Sequence, residues 1–162
     1  MSDIWDNVSN GLMSDVYAML TKMRETEFFT SMGSEIERAY AATLIGGGRI
    51  SDFPWFWGMP TEQREEFAFI APQVQVGDYR VDFVVGHCAD YDKPKRCVVV
   101  ECDGHAFHEK TKEQVARDKA RDRFLSIHYG KVIRFTGSEI YRDPAKCAIE
   151  TAYVLIAAMG NK

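Results

Sequence analysis

The sequence predicts an α/β fold: a small central mixed sheet flanked by helices, with an extra helix at the N-terminal end. Three observations carry this. Residues 67–85 form two apolar runs, alternating for much of their length, around a Gly77-Asp78 turn signal, which reads as a β-hairpin. Cys97 to Glu101 is a short continuous apolar run, the pattern of a central strand covered on both faces. Segments of helical periodicity precede and follow these strands, and a sheet sandwiched by helices is the architecture that buries both kinds of face.

The elements follow in chain order. Trp5, Val8, Leu12, Val16, Leu20 and Met23 recur at three- and four-residue steps, which predicts an amphipathic helix from Ile4 to Phe28. Ser34 opens a second helix, because Glu37 stands three positions on and completes a capping box. Gly46-Gly47-Gly48 should end it. Residues 49–66 are irregular, broken by Pro54, Gly58 and Pro60 and rich in aromatics at Phe53, Trp55, Phe56 and Trp57. Such a cluster either folds onto the core or stacks bases. In the returning strand Tyr79–Val85, Val81, Phe83 and Val85 should share one face, with Arg80, Asp82 and Val84 on the other. A polar loop over 89–95 leads to the Cys97 strand. A helix over 110–128 follows, with Val115, Ala116, Ala120, Phe124 and Leu125 expected inward, and Gly130 ends it. Lys131 to Phe135 is the last strand, and the Cys97–Phe135 piece should be a parallel crossover. Asp143-Pro144 caps a final helix running to about Met159.

At 162 residues the chain fits one domain and needs no disulfides to fold. No apolar run approaches the length of a membrane span, and no secretory signal is visible at the N-terminus. The four cysteines form no Cys-x-x-Cys pair, so reduced thiols in the cytoplasm are expected. The net charge of −4 argues against a general nucleic-acid binder, but it is unevenly spread. Glu109 to Arg134 holds eight Lys/Arg and four acids, leaving an acidic remainder. A basic segment beside an acidic body suits a protein that holds both phosphates and metal ions, or simply a solvated helix with local ion pairs.

The acids carry the chemistry. Asp82 lies inside a largely apolar strand, while Glu101 and Asp103 end the most buried one. Bare buried carboxylates are costly, so they are paired or bind a cation. Adjacent antiparallel strands would set Asp82 beside Glu101, and a divalent metal between them would relieve their repulsion. Hard oxygen ligands suit Mg²⁺ or Mn²⁺. A simpler alternative is pairing with Arg80 or Arg121. A zinc site built from His87, Cys88, Cys102, His105 and His108 is a further alternative, with irregular spacing.

Tyr79-Arg80-Val81-Asp82-Phe83, then Val98-Val99-Val100-Glu101-Cys102-Asp103-Gly104-His105, then Gln114-x-x-Arg117-Asp118-x-x-Arg121-Asp122-x-x-Leu125, then Gly130-Lys131-Val132-Ile133-Arg134-Phe135 form an ordered series. With Ser34-x-x-Glu37 and Pro72-Gln73, it resembles the uncharacterised family related to very-short-patch-repair endonucleases, within the PD-(D/E)xK nuclease superfamily. The resemblance covers roughly Ser34 to Phe135. It implies a restriction-endonuclease-like core over residues 34–159, a helical extension over 1–30, and Mg²⁺- or Mn²⁺-dependent cleavage of DNA, most naturally duplex. It implies Asp82 and Glu101 as metal ligands, Glu37 as an acid acting through a metal-bound water, and the Cys102 carbonyl as a further ligand. The superfamily's lysine two residues after the Glu is here Asp103. Lys112, His105 or His108 could activate the water, Gln114 could orient it, and Asp103 could instead ligate metal. Arg117 and Arg121 share a helical face and either take phosphates or pair with neighbouring acids. The competing reading is the same fold without catalysis, binding nucleic acid or a protein partner. Monomer and homodimer both remain open.

Overall fold

The computed structural model describes residues 27–50, 68–87, 90, 92–104 and 111–160. The expected N-terminal helix up to residue 26, the aromatic segment over 51–67, Cys88, His105 and His108 lie outside them. The elements are α1 (Glu27–Thr30), α2 (Glu35–Ile50), β1 (Ala68–Val76), β2 (Tyr79–His87), β3 (Val98–Asp103), α3 (Lys112–His128), β4 (Lys131–Thr136), α4 (Gly137–Arg142) and α5 (Pro144–Gly160).

The four strands form one sheet in the order β1-β2-β3-β4. β1–β2 and β2–β3 are antiparallel, and β3–β4 is parallel across α3. This is the expected mixed α/β sheet. Gly77 makes the hairpin turn with φ +58, a left-handed position that glycine adopts without a Cβ penalty. Each face of the sheet carries its own core. Ile70, Phe83, Val85, Val98, Val100 and Cys102 pack with α1, α2, α4 and α5. Val76, Val81, Val84, Val99 and Leu125 form the second core, under α3. Tyr40 of α2 sits at the centre of the larger core, its ring against Phe83 and Phe135. Its hydroxyl shares a buried 2.7 Å hydrogen bond with Thr151 Oγ1 of α5.

Several expectations are corrected. α2 does not stop at its glycines but runs through Gly46–Gly48 to Ile50. Glycine costs about 1 kcal/mol per helical position and does not forbid the helix; the buried run Ala39–Ile45 anchors the preceding turns. Val81 does not share a face with Phe83, because it packs with Val84 in the other core. The strand alternation reverses between them, at Asp82. The β1–β2 register skips this one step: Pro72 pairs with Phe83 and Val74 with Val81, with no pairing of Gln73 to Asp82.

α3 is also less buried than expected. Leu125 is buried and Phe124 packs beside it, but Val115 and Ala116 are exposed. Only the C-terminal half of this helix reaches the sheet, and its first turns are held by a Thr111–Gln114 capping box. The polar loop before β3 contains a 3₁₀ turn, Pro94–Arg96. The short helix α4 was not anticipated, although Thr136 and Glu139 form its capping box. Asp143 caps α5 as expected, its Oδ1 accepting from the Lys146 N–H at 2.9 Å.

Candidate active site

The acids of α2, β2 and β3 meet at one end of the sheet. Glu37 reaches it from the first turn of α2. Ser34 caps that turn, its Oγ accepting from the Glu37 N–H at 3.2 Å and its hydroxyl donating to Glu37 Oε1 at 2.9 Å. Glu37 Oε2 accepts from the Gly33 N–H at 3.1 Å and from Gln73 Nε2 at 2.7 Å. Glu37 is 7% exposed, so these donors take the place of water.

Asp82 stands where β2 leaves the β3 ladder. The paired positions end at Phe83 and Val100. One step on, Asp82 Oδ2 accepts from the Cys102 N–H at 2.7 Å, so a carboxylate occupies the place of a backbone acceptor. Burial raises the Asp82 pKa, opposed by that hydrogen bond and by Arg121, while the charges of Glu37 and Asp103 add to the rise. Across the sheet Gln73 has φ +52. A side-chain-bearing residue holds that conformation at a cost of about 1–2 kcal/mol.

Glu101 is 3% exposed near the end of β3. Its Oε1 accepts from Arg121 Nη2 of α3 at 2.5 Å. The same guanidinium nitrogen donates to the Arg80 carbonyl at 2.8 Å, while Arg121 Nε is buried without a hydrogen-bond partner among the described residues. Arg121 therefore takes up the ion-pair alternative with Glu101 rather than with an acid on its own helix. Burial pushes Glu101 up to about 7, with Asp82 and Asp103 adding to the rise against the pull of Arg121 and Arg134. Asp103 is exposed and lies 3.4 Å from Arg134 Nη1, whose Nη2 donates to Asp122 at 2.6 Å.

The remaining expected residues sit less centrally. Cys102 is buried with its thiol pushed up by burial, and its side chain belongs to the larger core. The side chain of Gln114 serves the helix cap, its Oε1 accepting from the Thr111 N–H at 2.8 Å. Lys112 and Arg117 are exposed on the first turns of α3. The Gln73 contact to Glu37 was not read from the sequence. Its trace was the Pro72-Gln73 pair among the motifs that carry the resemblance, which gave Gln73 no role; a left-handed φ leaves no mark in side-chain chemistry.

Among the described residues no group of three or more His, Cys, Asp or Glu side chains is placed to hold a metal ion. The donors nevertheless fit a hard divalent cation. Glu37 and Asp103 both raise the Asp82 pKa, and Asp82 and Asp103 raise that of Glu101, so these carboxylates share a negative field. Mg²⁺ is held through one or two carboxylates plus waters and substrate phosphates rather than by an all-protein cage.

A mixed sheet with helices on both faces and acids gathered at one end defines a restriction-endonuclease-like protein. The chain belongs to the REase_MTES_1575 family, whose model matches residues 63–153, just over half of the 162. The match includes Asp82, Glu101 and Arg121 but begins after Glu37. No curated protein and no solved structure matches the chain.

Proposed function

We propose that this protein is a Mg²⁺- or Mn²⁺-dependent endonuclease that hydrolyses DNA phosphodiester bonds. The observation that carries this reading is the place of Asp82, bonded to the Cys102 N–H of β3 and close enough to Glu37 of α2 and Glu101 of β3 to interact with both. The restriction-endonuclease-like family supports it. The kinship with very-short-patch-repair endonucleases and the PD-(D/E)xK superfamily belongs to the same proposal.

Asp82 and Glu101 would hold the metal, with Glu37 as a further acid and the Cys102 carbonyl as a backbone ligand. When bound, the metal supplies a more acidic water and charge stabilisation at the phosphate. Arg121 orients Glu101 through their ion pair and limits the repulsion between the acids. Ser34 and Gly33 fix the Glu37 carboxylate. Arg117 and Lys112 lie on the exposed face of α3, where phosphates of duplex DNA would be met. The activating group is assigned to Lys112, His105 or His108. Three cysteines, Cys97, Cys102 and Cys147, are free and buried, which suits a reducing compartment such as the cytoplasm. Among the described residues no helix is long and apolar enough to cross a membrane.

One observation favours a second reading. Asp103 replaces the superfamily lysine, and Arg121 already engages Glu101; a catalytically inactive module that binds nucleic acid would look the same. The deciding experiment incubates supercoiled plasmid and labelled single strands with the protein in EDTA, Mg²⁺ or Mn²⁺, beside Asp82→Ala and Glu101→Ala proteins. Cleavage that requires metal and both acids is expected. Cleavage retained by a pure, folded Asp82→Ala protein would overturn the assignment. DNA binding without turnover in any metal would select the inactive module.

A further inference from the structure

Gln73 combines three features that separately are uncommon. It holds φ +52 in the interior of a strand, where glycine would sit without strain. It occupies the single skipped step of the β1–β2 register, opposite Asp82. Its side-chain amide donates to Glu37 Oε2 at 2.7 Å, across 36 residues of chain. Backbone strain at a non-glycine residue persists where the surrounding structure over-determines it, and such residues gather at functional sites.

The three features have one geometric result. Skipping the step releases Asp82 from the β1 ladder and lets its carboxylate turn to the Cys102 N–H. The same turn reverses the side-chain alternation of both strands: Ile70 and Phe83 face one core, Val74 and Val81 the other. A Gln side chain from this position reaches the buried acid of α2. We propose that Gln73 is a positioning residue, whose left-handed backbone frees Asp82 and whose amide fixes Glu37, so that acids from α2 and β2 serve one metal centre. This rests on the metal-dependent reading above and extends it to a residue that touches neither metal nor substrate.

The test uses the full chain and Mn²⁺ alone as the probe. Gln73→Gly keeps a backbone that accepts φ +52 and removes the amide. Gln73→Glu keeps the size but replaces the donor with a like charge facing Glu37. Both should retain a cooperative thermal transition while binding Mn²⁺ about 10- to 100-fold more weakly by calorimetry, the usual effect of losing a partner of a metal-ligating group. If Gln73→Gly does not fold, Gln73→Glu carries the same comparison. A Gln73→Gly/Glu37→Gln double variant should bind Mn²⁺ no more weakly than Glu37→Gln alone, because both changes act through one contact. With DNA and saturating Mn²⁺, kcat should fall while KM holds. Folded Gln73 variants that bind Mn²⁺ as the wild type does would overturn the role of Gln73 alone. A folded wild type that binds no Mn²⁺ would overturn the metal-dependent reading, and this inference with it.

Discussion

A buried carboxylate beside other acids keeps its proton to higher pH than one in water, and Glu101 is such a group, pushed up to about 7. In the unfolded chain it titrates near an ordinary glutamate value, about 4.3. Between those values the native state binds more protons than the unfolded state, so stability falls as pH rises through this window. The difference corresponds to a loss of at most about 4 kcal/mol. Asp82 is raised too and contributes with the same sign. Thermal melts in EDTA should therefore drop between about pH 4 and pH 7, and Glu101→Gln should flatten that slope. Mn²⁺ should reverse it, since metal favours the ionised carboxylates. At this scale the sequence was informative about types and silent about directions. Asp82, Glu101 and Asp103 stand out because acids inside or at the ends of apolar strands are few. The partners of Glu37 and the choice of Glu101 by Arg121 depend on which way strands and helices turn.

At the scale of elements, closeness of approach decides more than propensity. The connection from α3 to β4 turns at Gly130, whose N–H lies 3.2 Å from both the Pro94 and Cys97 carbonyls. A Cβ there would lie 2.1 Å from the Lys95 carbonyl oxygen, which a rigid backbone cannot yield. Gly130→Ala should destabilise the fold by about 1–3 kcal/mol, the usual cost of overpacking, read as a lower denaturation midpoint. Ser34→Ala removes the cap of α2 and should cost about 1 kcal/mol, with weaker Mn²⁺ binding because Glu37 loses a donor. The strands, the crossover helix and the capped start of α5 were legible, since period and caps are local. The passage of α2 through Gly46–Gly48 was not, because a packed anterior segment outweighs glycine's local cost. The depth of α3 was not legible either: Val115 has the spacing of a core residue, but the sheet ends before it.

For the whole molecule, the division of charge matters most. The first turns of α3 carry exposed Lys112 and Arg117, while the acids gather at the sheet end. The logarithm of nucleic-acid affinity should fall linearly with the logarithm of salt concentration. Arg117→Ala should reduce that slope by about 1 without changing the melting temperature, measured by fluorescence anisotropy. The asymmetry could be read directly from residues 109–134, because net charge along a segment survives any fold. The mixed sheet and its two-sided cover followed equally from element order.

The hydroxyl pair of Tyr40 and Thr151 joins residues 111 positions apart. A contact of that span closes a long loop, whose entropy must be met before the contact rewards it. On the ribosome, α2 would emerge well before α5, and Tyr40 would have no hydroxyl partner until the last helix is made. Glu37 lies one turn from Tyr40 on the same helix. The nascent chain therefore holds Glu37 on a helix whose Tyr40–Thr151 hydrogen bond can close only after synthesis has passed Thr151.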